Sequence, residues 1–312
     1  MTATGMTPKL IRAHRVVTQT RDRLGEGICY DARRDRLYWV DILGHRLHAY
    51  SLSSDTIEHW SFSEPVCFGV PRTAGGLLLG LASGLYVFDD KHPAAPLELA
   101  WALGDDSHRL NDALVDPDGG LWFGVMHCDA KESSGRLLHF DGEAVTVVDD
   151  GYLIPNGPAF DAETTTLYHA DSGRGCVYAY SLDSAKLATA RKIHIQFGAS
   201  DGVPDGMTLD SEGFLWVAHW GGSRVSRFNP GGRVERVVEL PVSQVTNCAF
   251  AGPSLDRLFV TSAVEGVDEP LAGSLFEVDP GVRGRPTVPF GSGRRESRGA
   301  VGWTVLRATL KT

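Results

Sequence analysis

The sequence lacks several features that would point to a function at once. No run of about 18 apolar residues occurs, which removes a helical membrane span. Residues 1–19 contain no apolar core of about 7–15 residues, so no secretory leader is expected. There is no CxxC pair, and the five cysteines (Cys29, Cys67, Cys128, Cys176, Cys248) are odd in number and widely spaced. That argues against a zinc ribbon or a disulfide framework and for a reducing, cytoplasmic compartment. Neither HExxH nor GxSxG is present, so a zinc-protease helix and a serine nucleophile elbow have no support. A long basic run is missing too, and 30 Lys and Arg against 39 Asp and Glu leave a net charge of −9. Basic side chains on phosphates supply most nucleic-acid affinity, so nucleic acid is not an expected partner. Sustained helical periodicity is scarce.

What is plentiful is turn material. The 312 residues include 36 Gly and 16 Pro, more than the roughly 12% of average usage. Many short elements joined by turns are expected. A turn followed by an apolar run headed by Leu recurs six times: Leu37-Tyr38-Trp39-Val40, Leu77-Leu78-Leu79, Leu121-Trp122-Phe123, Leu167-Tyr168-His169, Leu215-Trp216-Val217 and Leu258-Phe259-Val260. The leading Leu residues are 40, 44, 46, 48 and 43 positions apart. A second apolar run follows each, and the third and sixth copies carry insertions of about six or seven residues before it. Runs rich in Val, Tyr, Trp and Phe, bounded by Gly and Asp, are strands. Six units at this period predict an all-β, six-bladed β-propeller over residues 1–291, with 292–312 as a C-terminal extension. Residues 11–18 are expected to supply the outer strand that closes the sixth blade, leaving no open edge.

About ten residues before each leading Leu a polar residue recurs at one register: Glu26, Asn111, Asn156, Asp205 and Asn247, with apolar Val66 in the second copy. The shared frame is a polar residue, a small residue, an apolar strand and usually a turn Asp. In a propeller, equivalent positions are related by rotation about one axis, so these side chains should meet in the channel. Asp and Asn are poor strand formers, and a lone Asn-Gly reads as a turn. Five aligned copies require another reason. Two carboxylates with up to three amides form an oxygen cage for a divalent cation. Asp31, Asp116, Asp161 and Asp210 recur at the strand exit and are read as turn residues.

At these positions the chain resembles the SMP-30/gluconolactonase family, six-bladed propellers that hydrolyse sugar lactones. The matching motifs are Leu24-Gly25-Glu26-Gly27, Arg109-Leu110-Asn111-Asp112, Trp122-Phe123-Gly124-Val125-Met126, Asn156-Gly157-Pro158-Ala159-Phe160, Pro204-Asp205-Gly206-Met207 and Thr246-Asn247-Cys248-Ala249-Phe250, in family order over roughly residues 20–290. The resemblance implies Glu26, Asn156 and Asp205 as metal ligands, Asp205 also as general base, and Arg109, Asn111 and Asp129 as substrate contacts. It implies a small sugar lactone as substrate and one divalent cation, Ca²⁺ first, with Mg²⁺, Mn²⁺, Zn²⁺ or Fe²⁺ as alternatives; oxygen ligands suit the harder of these. Ile28 and Val125 depart from the usual Pro and Thr, and Ala113-Leu114 from a common Gly-Lys or Gly-Arg pair. These departures bear on the substrate more than on the cation. A monomer or weak homodimer is expected, with no membrane partner. A propeller phosphotriesterase and a non-catalytic calcium-binding propeller are the competing functions.

Overall fold

The computed structural model describes residues 8–12, 14–184 and 186–291. Six sheets of four or five strands make up the fold, and the one helical element among the described residues is a single turn at Ser172–Arg174. The inner strands, in blade order, are Gly25–Asp31, Val66–Pro71, His108–Val115, Pro155–Asp161, Val203–Leu209 and Val245–Ala251. Each lies against the inner strands of the blades on either side, and the sixth returns to the first. The protein is therefore the expected six-bladed β-propeller. Among the described residues no helix is long and apolar enough to cross a membrane.

The leading-Leu runs are the second strands of the blades. Leu37, Tyr38, Trp39 and Val40 are all fully buried, as are Leu121, Trp122 and Phe123. Neighbouring blades cover both faces of these strands, which is why they read as continuous apolar runs rather than alternating ones. The turn acids behave as read. Asp116 accepts the N–H groups of Asp118 and Gly120 at 2.9 and 3.0 Å, and Asp210 those of Glu212 and Phe214 at 2.9 and 3.0 Å. The same carboxylates also accept the indole N–H of Trp122 and of Trp216, at 2.9 and 2.8 Å. One residue type thus shapes the turn and satisfies the buried indole.

The base of blade five carries a buried charge cluster. The Arg227 side chain, 2% exposed, reaches Asp210, Glu212 and Glu235 at 2.7, 2.6 and 2.9 Å. Asp210 is fully buried, so losing the guanidinium strands an unpaired charge. Arg227→Ala is expected to cost about 3–5 kcal/mol, read as a lowered urea midpoint. A change below about 1 kcal/mol, the worth of an exposed pair, would show the cluster to be inessential.

The strand expected over residues 11–18 divides in two. Arg15–Thr18 pairs antiparallel with Leu275–Val278, because the sixth blade has only three strands from its own repeat and needs a fourth. Lys9–Ile11 instead runs parallel to Val234–Glu239 as a fifth strand on blade five. The inserted segments are loops 128–134 and 263–274. No repeat accounts for residues 283–291. They cross the base of the propeller as a strap, bonded through backbone to Leu255 of blade six, Ser211 of blade five, Pro71 and Thr73 of blade two and Gly119 of blade three. The extension read at 292–312 lies outside the described residues.

Candidate metal centre and active site

Every inner strand breaks register by one residue at the level where the polar positions fall. The shift lies between Glu26 and Cys29 in blade one, Leu110 and Ala113 in blade three, Asn156 and Ala159 in blade four, Pro204 and Met207 in blade five, and Val245 and Cys248 in blade six. Blade two bulges between Val66 and Phe68. A bulge leaves one residue out of the ladder and re-aims its side chain. Asn111, Asp205 and Asn247 lie inside the bulge, and Glu26 and Asn156 directly precede it.

The small residue of the frame has a steric cause. A Cβ on Gly206 would lie 2.0 Å from Cγ of Asn247, the site residue of the next blade. A Cβ on Gly157 would lie 2.7 Å from the backbone oxygen of Asp205, and its φ of 39° suits glycine besides. The small position is where the next blade's polar residue is seated. Blade three is the exception: Asp112 stands where the others carry Gly or Cys.

Asp112 is the residue that sequence reasoning missed. It is buried, accepts the N–H of Gly157 at 3.0 Å and of Ala113 at 2.8 Å, and takes a hydrogen bond from Asn247 Nδ2 at 3.1 Å. The same Asn247 amide donates to Glu26 Oε2 at 3.2 Å. Asn111 Nδ2 donates to Asn156 Oδ1 at 2.5 Å and to the Pro155 carbonyl at 2.8 Å. Asn156 in turn donates to Ser172 Oγ at 2.9 Å, and Ser172 donates to the Pro204 carbonyl at 2.6 Å. The five polar residues read from the repeats therefore converge, and Asp112 joins them. Its signal in the sequence was its place in the frame, as the one charged residue at a small position.

The channel thus holds three buried carboxyls, not two. Burial, then the charge of Asp112, pushes Glu26 up to about 8. Burial pushes Asp112 up to about 6. Burial, then Glu26 and Asp112, drive Asp205 well above the usual carboxylate range. Among the described residues no Lys, Arg or His pairs with any of the three, and Asp205 Oδ1 is buried without a hydrogen-bond partner. Buried carboxylates without positive charge are costly. The missing charge, the unpartnered oxygen and an all-oxygen donor set fit a divalent cation of the hard class. Among the described residues no three Asp, Glu, His or Cys side chains form a ready cage by themselves. A cation here would draw on an amide oxygen as well as carboxylates. Asn156 Oδ1 keeps a free lone pair beside its bond from Asn111.

The outer lip is built by blade three. Arg109 Nη1 donates to Asn111 Oδ1 at 2.7 Å and to the Leu110 carbonyl at 2.9 Å, which fixes the guanidinium at the rim of the cluster. Asp129 sits on the exposed loop 128–134, and its carboxylate makes no hydrogen bond to the cluster among the described residues. Cys128, on the same loop, is exposed; the other thiols are buried or half-buried, and all five are free.

The fold and the channel define a class: a six-bladed propeller with a buried central carboxylate–amide site and Arg109 bonded to its edge. The comparisons place it more narrowly. Residues 24–264 match the SMP-30/Gluconolactonase/LRE-like region, and the chain belongs to that family. It is 33% identical over 262 residues to a 6-deoxy-6-sulfogluconolactonase of Pseudomonas putida, covering 81% of this chain and 90% of that protein. It is 34% identical over 286 residues to a pentonolactonase of Haloferax volcanii, covering 86% and 95%. Among solved structures, a calcium-binding regucalcin of Agrobacterium tumefaciens superposes with a TM-score of 0.85 at 29% identity, covering 91% of this chain and 99% of that one.

Proposed function

We propose that the protein hydrolyses a sugar lactone to the sugar acid, with one divalent cation held by Glu26, Asn156 and Asp205. The observation that carries this is the set of three buried carboxyls without a countercharge, with Asp205 Oδ1 unpartnered among them. The two lactonase relatives and the calcium-binding neighbour support it. When bound, the cation stabilises the negative charge that grows on the lactone carbonyl oxygen and acidifies water beside it.

The chain's own residues do the rest. The Asp205 carboxylate, through an oxygen not given to the cation, accepts the proton of the attacking water. A base must be ionised, and at this buried site ionisation needs a positive charge alongside, which is a second reason to place the cation here. Asp112 holds the Gly157 amide, next to Asn156 in its strand, and the Asn247 side chain, which bonds to Glu26. Arg109 and Asn111 at the rim, with Asp129 on the loop above, orient the sugar hydroxyls. Ca²⁺ is the favoured ion, since oxygen ligation with an amide among carboxylates is its usual setting. The protein acts on its substrate as a monomer or weak homodimer in the cytoplasm.

A panel of aldonolactones and organophosphate triesters, assayed with Ca²⁺, Mg²⁺, Mn²⁺ or Zn²⁺, separates the readings. Cation-dependent opening of at least one aldonolactone is expected. Turnover confined to phosphotriesters would favour the competing hydrolase, and saturable cation binding with no turnover would favour a non-catalytic propeller.

A further inference from the structure

The strap at 283–291 does more than cover the base. Arg285 Nη1 pairs with Asp161 Oδ1 at 2.6 Å, and its Nε donates to the Asp210 carbonyl at 2.9 Å. Asp161 ends the inner strand of blade four, which begins beside Asn156. Asp210 directly follows the inner strand of blade five, which carries Asp205. Two residues on, Thr287 Oγ1 donates to the Tyr30 carbonyl at 2.5 Å. Tyr30 lies near the end of the inner strand of blade one, which carries Glu26. Two side chains of the strap therefore grip the far ends of all three strands that bear the proposed ligands.

The strap touches none of those ligands. A cavity of about 210 Å³ separates the two, lined by Asp112 and Asn247 of the cluster and by 285–289 of the strap. Any effect on the cluster must travel along the strands, which are rigid because both faces are packed. Asp161 fits such a clamp: burial alone would push it up, yet its bonds from Arg285 and Thr164 hold it below the usual carboxylate range.

We propose that the strap is a positioning element for the cation centre, and that Arg285 is its principal positioning residue, fixing the spacing between the strands of Asn156 and Asp205 while Thr287 fixes that of Glu26. The proposal rests on the cation reading given above. Blades four and five have no covalent tie at this end, so their relative spacing there is free to vary except as side-chain packing and the Arg285 bonds restrain it. Affinity for a hard cation such as Ca²⁺ is tuned by the rigidity of its ligand set as well as by the ligands' charge. A clamp at the base removes that freedom at the level of the cluster.

Calorimetric titration of Ca²⁺ and Mn²⁺ into chelator-stripped full-length protein tests this without reference to turnover. Arg285→Ala is expected to weaken cation binding by roughly three- to tenfold, less than the ~10–100-fold of a group bonded directly to a ligand. Arg285→Lys keeps the ion pair but not the second bond, and should fall between. Thr287→Val should weaken binding about twofold by the same route, and it decides the matter if Arg285→Ala fails to fold. Wild-type affinity in both Arg285→Ala and Thr287→Val, with only the melting temperature lowered, would reduce the strap to a structural brace. Glu26→Gln is the internal control. If it binds cation as tightly as wild type, the cation reading itself fails; if it loses binding while the strap variants keep theirs, only the strap proposal does.

Discussion

Asp205→Ala, assayed with divalent cation in excess on a lactone that the wild type opens, is expected to lose about 10²–10⁴-fold in turnover. The residue has two tasks in the proposed mechanism, and they are separable. Excess cation compensates for a weakened site but cannot restore a base. Asp205→Asn retains an oxygen that can face the ion, so it should bind cation far better than Asp205→Ala while remaining as slow. Without the cation, burial and the nearby Glu26 and Asp112 raise the proton affinity of Asp205, so its service as a base depends on the cation keeping it ionised. Near-wild-type turnover in Asp205→Ala would remove it from the chemistry and direct attention to another proton acceptor.

The second large effect should follow removal of the cation. Chelation is expected to abolish hydrolysis and to lower the thermal midpoint, and re-addition of a hard divalent ion should restore both. The stability change follows mass action: at a free cation concentration 100 times Kd, binding adds about 2.7 kcal/mol. The case for a large effect here is the charge imbalance, since Glu26, Asp112 and Asp205 are buried together and none has a cationic side-chain partner among the described residues. A stripped protein with full activity and an unchanged midpoint would show that the three carboxyls are stabilised by protonation alone. Asp112→Ala is an informative companion, because Asp112 bonds to the neighbours of two ligands rather than standing in for one.

Much of this was legible in the residues, for identifiable reasons. The period of the leading Leu residues specified six blades because each second strand is buried on both faces. Glu26, Asn156 and Asp205 stood out because acids and amides are out of place in an apolar strand. The structure supplies what the pattern could not: a one-residue bulge in every inner strand at the level of those side chains. Asp112 escaped notice because it was counted under the small position of the frame, and only its neighbours across the axis reveal it as a third carboxyl. The strap was invisible for a different reason. Its contacts join Arg285 to Asp161, 124 residues away, and Thr287 to Tyr30, 257 residues away, and nothing local to 283–291 announces those partners. The division of 11–18 into two strands on two blades was equally a matter of distant pairing.

The seam between Arg15–Thr18 and Leu275–Val278 also constrains how the molecule is made. Arg15 bonds Glu277 across 262 residues of chain, so during synthesis Arg15–Thr18 stays without its partner until residues 275–278 have been made. The first blades can pack as they emerge, since their contacts are between successive repeats. Ring closure therefore waits on a pairing across 262 residues, and a step of such high sequence separation is slow. Until then an unpaired strand edge is exposed on each side of the gap, which is the stage at which two nascent copies are most apt to exchange strands or aggregate.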